Sequence, residues 1–133
     1  MAEPRRLFTV ARANKALPLV ARIAEDVVRK FADFQRLESE RQKARHEHRE
    51  TLERKLFDLE GEIERHQQEL MAIGCELKDP RTGLLDFPAR NGDQPILLCW
   101  KRGEPAVAWW HPLETGFAGR RPVTELPAAT QGD

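Results

Sequence analysis

Apolar side chains at Leu17, Val20, Ile23, Val27, Phe31, Phe34 and Leu37 recur every three or four positions, which is the spacing of one face of an α-helix. Thr9 offers a capping hydroxyl and Phe8 a hydrophobic staple, so the helix is predicted to start there, with Arg12 where a full capping box carries an acid. Pro18 removes one intrahelical hydrogen bond and predicts a kink or a restart. A second series, Leu52, Leu56, Leu59, Ile63, His66, Leu70 and Ile73, alternates steps of four and three and reads as a coiled-coil-like seam with His66 at a core position. Glu38 to Thr51, between the two series, has almost no apolar side chain and neither glycine nor proline. Two geometries fit that stretch. Either the chain reverses within residues 42–50 to make an antiparallel hairpin, or one long helix pairs with a second chain. The hairpin is preferred, because monomer and dimer can both be built from it.

The pattern changes at Gly74, which is placed to end the second helix in a left-handed conformation. Residues 1–73 hold one glycine and two prolines; residues 74–133 hold seven of each. Short strands are predicted at Cys75 to Lys78, Leu84 to Arg90, Pro95 to Lys101 and Ala106 to His111. They are separated by turns at Asp79-Pro80-Arg81-Thr82-Gly83, Asn91-Gly92-Asp93 and Gly103-Glu104-Pro105. Pro88 marks its strand as an edge or a bulge. Alternation suggests one face carrying Ile96, Leu98 and Trp100 with Val107, Trp109 and His111. The fold class is therefore α+β: a helical hairpin over residues 1–73, a small antiparallel meander over 74–126 packed on it, and a disordered tail over 127–133, together one structural domain.

Charge adds little to that picture, since 22 basic residues balance 22 acidic ones and both halves are nearly neutral. Nucleic acid is not the expected partner, because such binders carry a marked basic excess. No apolar run approaches the roughly 20 residues of a membrane span. The opening residues carry Arg5 and Arg6 without an apolar stretch behind them, so no signal peptide is expected. Cys75 and Cys99 are too few for a disulfide framework, which suggests a reducing, cytoplasmic setting.

Established catalytic motifs are missing: there is no phosphate-binding glycine loop, nucleophile elbow, His-Glu-x-x-His or paired Cys-x-x-Cys. His46 and His48, two residues apart, do not share a helical face and read as solvated. The denser chemistry lies in the second half. Asp86, Glu104 and His111 form a candidate ligand or divalent-metal site, with Lys78, Arg120, Trp109 and Trp110 as candidate anion or ligand contacts. Each also has a structural reading as a turn residue, an internal ion pair or a core side chain.

The segments Gly74-Cys75-Glu76-Leu77-Lys78-Asp79-Pro80, Gly83-Leu84-Leu85-Asp86-Phe87-Pro88, Leu98-Cys99-Trp100, Gly103-Glu104-Pro105, Trp110-His111 and Gly116-Phe117-Ala118-Gly119-Arg120 resemble the prokaryotic domain of unknown function 2203. Phe8-Thr9-Val10 and Ala13-Asn14-Lys15-Ala16-Leu17-Pro18 resemble the start of that family, although Arg12 stands where an acid is common. The resemblance spans about residues 7 to 123 and implies no activity, substrate or cofactor. Two functions remain open. The preferred one is a non-enzymatic interaction or self-association module, a homodimer or a complex with a protein partner, built on the seam Leu52, Leu56, Leu59, Ile63, His66 and Leu70. The alternative is a small-ligand or metal-binding protein, extending to a metal-assisted hydrolase, with its site at Asp86, Glu104 and His111.

Overall fold

The computed structural model describes residues 7–133; the opening residues 1–6, on which the signal-peptide expectation rests, lie outside it. Two long helices, α1 (Val10–Lys43) and α2 (His46–Ile73), form an antiparallel hairpin. The Thr9 hydroxyl accepts the Arg12 N–H at 3.2 Å, so the predicted cap is present. α1 runs through Pro18 without a restart. The proline is exposed, and an exposed carbonyl left without its intrahelical donor can turn to water instead. The reversal falls at Ala44 and Arg45, both extended, inside the predicted window. Gly74 closes α2 at φ 112°, a left-handed angle that a side chain would resist.

A five-stranded antiparallel sheet follows in simple sequence order: β1 (Glu76–Asp79), β2 (Leu84–Asn91), β3 (Gln94–Lys101), β4 (Trp109–Pro112) and β5 (Arg121–Pro122). Asn91 pairs with Gln94 across a two-residue turn, and this sets Asp86 opposite Cys99 and Phe87 opposite Leu98. Pro88 fits its strand because β1 no longer runs beside it. Its carbonyl accepts the Phe8 N–H at 2.7 Å, so the missing donor also points at that edge.

One face of the sheet packs on the helices. Leu85, Phe87, Ala89, Ile96, Leu98, Trp100 and Trp110 share a core with Phe8, Ala13, Leu17, Val20, Ile23 and Val27 of the first helical segment and Leu70 of the second. Phe8 and Phe87 meet edge to face at 5.2 Å between ring centres. Burying a side chain the size of Phe87 completely contributes about 3–5 kcal/mol, judged by what truncation costs.

Two expectations need correction. The strand predicted at Ala106 to His111 starts at Trp109 as β4, and its phase is inverted: Trp110 pairs with Leu98 on the helix side, while Trp109 and His111 lie on the outer face. The cause is Val107, which is buried but outside the ladder. Its N–H donates to Asn14 Oδ1 at 2.8 Å and its carbonyl accepts from Asn14 Nδ2 at 3.2 Å. The tail is also ordered. α3 (Ala128–Gln131) buries Thr130, whose hydroxyl donates to the Arg90 carbonyl at 2.5 Å, and Gly132 lies against Thr9. Composition suggested disorder there, but these hydrogen bonds and contacts fix the segment to β2 and to the start of α1.

Candidate functional site

The outer face of the sheet collects polar groups from three adjacent strands. Asp86 on β2 lies opposite Cys99 on β3, and His111 on β4 pairs with Leu97, one alternation along from Cys99. All three are buried. His111 Nε2 and Asp86 Oδ1 are 3.3 Å apart, and one ligand-type atom from each of Asp86, Cys99 and His111 lies within 4.8 Å of the others. A carbonyl only accepts, so the 2.8 Å contact between His111 Nδ1 and the Pro112 carbonyl places a proton on Nδ1 and leaves Nε2 facing the carboxyl group.

Burial pushes the Asp86 carboxyl up from its ordinary value, against the opposing charge of His111 and a hydrogen bond from it. Burial likewise pushes the Cys99 thiol up to about 12, with the negative Asp86 adding to the effect. Cys99 is therefore a neutral thiol in this setting, buried beside Asp86 rather than poised as a nucleophile.

Glu104 does not join this group. Both its carboxylate oxygens accept from Arg120 Nη2, at 2.7 and 2.8 Å, and Oε1 also accepts the Lys101 N–H at 2.6 Å. Trp100 Nε1 donates to its backbone carbonyl at 2.9 Å. Glu104 thus ties the turn between β3 and β4 to the return of the chain at Arg120. Arg120 is consequently held by an internal carboxylate, and it stacks between Trp109 and Phe117, 5.1 and 4.7 Å from their ring centres. The internal ion pair of Arg120 is therefore with Glu104 and not with Asp86. Trp109 stands on the outer face, whereas Trp110 belongs to the core. Lys78 pairs with Glu76 at 3.3 Å, and its charge also lowers the Asp86 carboxyl slightly.

On the helices, Leu52, Leu56 and Leu70 are buried while Leu59, Ile63 and His66 are half-buried. His66 Nε2 lies 2.9 Å from Lys30 Nζ, and Nδ1 lies 3.2 Å from Glu69 Oε1. An ammonium only donates, so Nε2 accepts and Nδ1 carries the proton. His66 thereby joins the two helices of one chain. Beside it, a groove of about 450 Å³ is lined by Phe31, Phe34, Glu60, Ile63, Glu64 and Gln67. No described helix is long and apolar enough to cross a membrane.

Sequence reasoning missed Cys99 as a member of the polar group, although a two-residue turn between Asn91 and Gln94 fixes its place opposite Asp86. A family model described as an uncharacterized conserved protein, DUF2203, matches residues 6–123. No curated protein and no solved structure matches the chain.

Proposed function

From the premise that this chain belongs to the uncharacterised conserved family DUF2203, we propose that it is a non-enzymatic self-association module that pairs with a second copy through the helical hairpin. The observation that carries this reading is the apolar side of the hairpin left uncovered beyond the sheet. Phe31, Phe34 and Ile63 line a groove, and Phe57 on α2 is 76% exposed beside it. Phe57, Glu60, Glu64, Gln67 and Met71 follow one another at steps of three and four, so they form one stripe along α2, apolar at both ends. A second copy laid along that stripe makes a four-helix arrangement and buries the same patch on both chains.

Leu59 and Ile63 belong to the seam within one chain, so charging them tests the hairpin as well as the interface. Phe57 is the cleaner probe because its ring is exposed. Full burial of such a side chain is worth about 1.5–3 kcal/mol per copy. Phe57→Glu should therefore convert a dimer to a monomer, with the dissociation constant raised at least about 100-fold and helix content unchanged. Sedimentation velocity with circular dichroism reads both, and a wild-type chain that sediments as a monomer at tens of micromolar rejects the proposal.

The metal-assisted hydrolase reading is weaker. Of its three residues, Asp86 and His111 are in contact, but the Glu104 carboxylate is engaged by Arg120 and Lys101.

A further inference from the structure

We infer that Asp86, Cys99 and His111 form a binding site for a zinc-class divalent transition ion. The donor set is one carboxylate, one thiolate and one imidazole, a mixture that suits zinc or cobalt(II) and not the oxygen-seeking magnesium or calcium. Each donor stands on a different strand of one hydrogen-bonded ladder, so the backbone fixes the three together without a flexible loop. Their ligand atoms lie within 4.8 Å of one another. A tetrahedral shell with bonds of about 2.0–2.3 Å has edges of about 3.5 Å, so closure shortens the longest separation by about 1.3 Å at most.

His111 carries the supporting contact that metal-bound histidines use. Its Nδ1–H is held by the Pro112 carbonyl at 2.8 Å, which turns the Nε2 lone pair toward Asp86 and Cys99. That lone pair and a carboxyl oxygen face each other at 3.3 Å in a buried place, an arrangement that needs a positive charge between them. Without metal, one proton serves. The Cys99 thiol holds a second.

A divalent ion replaces these two protons. The site then carries one negative charge on Asp86, one on Cys99 and none on His111, so the bound ion gives a neutral buried complex, as the two protons did. Binding displaces the thiol proton of Cys99, together with any proton that Asp86 and His111 share. The described residues supply three ligands, which leaves a fourth position for water.

Titration of the chelator-stripped whole chain with cobalt(II) alone tests this. One equivalent should bind, with the visible absorption of a tetrahedral site and a near-ultraviolet sulfur-to-cobalt band. One equivalent of zinc should erase both absorptions. Cys75→Ser should keep the sulfur band, while Cys99→Ser should lose it and bind more weakly by over about 100-fold. Should Cys99→Ser fail to fold, the wild-type sulfur band and its persistence in Cys75→Ser still decide. A folded wild-type chain that binds no cobalt overturns the site, and so does cobalt bound without a sulfur band, as exposed His46 and His48 would hold it.

Discussion

Burial holds both thiols in the protonated form, each pushed up to about 12 with loss of solvation as the main cause. Alkylation needs the thiolate, so in the metal-free folded chain neither Cys75 nor Cys99 should react with iodoacetamide at pH 8 over an hour. Both should react together as the chain unfolds in denaturant, and mass spectrometry counts the labels. Rapid labelling of either one under native conditions would contradict the burial described here. Glu104 teaches the same lesson at this scale, in that the type of a residue did not predict its partner. A carboxylate in an exposed-looking turn met Arg120, which lies 16 positions away and returns across a loop whose path no local pattern encodes. The seam histidine was legible as an inter-helix position, but its acceptor role toward Lys30 appears only when both helices are in place.

At the level of elements, periodicity read the two helices and the first three strands correctly, because each repeats its spacing over several residues. The reversal at Ala44 and Arg45 lies instead in a stretch with no apolar repeat, where a hairpin is preferred over one long helix on other grounds. Reading failed where one tertiary contact replaces a ladder. Asn14 exchanges two hydrogen bonds with the backbone of Val107, so the chain reaches β4 with its alternation interrupted, and the faces of Trp109 and His111 are inverted relative to a continuous strand. Asn14→Ala removes both bonds and leaves a partly buried N–H and carbonyl unpaired, at a cost of about 1–3 kcal/mol. Urea denaturation should show that loss with the slope unchanged. Asn14→Asp keeps the acceptor and should recover part of it. The Asp86–Cys99 pairing was legible in principle, since fixing the turn at Gly92-Asp93 fixes every partner in that hairpin. Read as a three-residue turn, Asn91-Gly92-Asp93 does not set that register, which the two-residue turn between Asn91 and Gln94 does.

Across the whole molecule, the sheet is a single layer with unlike tasks on its two sides. Phe87, Leu98 and Trp110 face the helices, while their sequence neighbours Asp86, Cys99 and His111 face the other way. Phe57 lies on the hairpin outside the shared core. Substitutions without common partners add in free energy to within about 0.5 kcal/mol. The double variant Phe57→Glu with His111→Ala should therefore show the summed stability change of the two single variants at equal monomer concentration, measured by denaturant unfolding. A coupling energy well above that limit would mean that the two sides communicate. Ordering of the tail belongs to this scale as well, because Thr130 and Gly132 are held by Arg90 and Thr9, which are remote in sequence. The two-sided sheet also bears on descent. A relative that has lost Cys99 can keep every helix-facing side chain, and one with a remodelled hairpin surface can keep Asp86, Cys99 and His111, so the proposed metal site and the proposed pairing surface are free to be inherited separately within one fold.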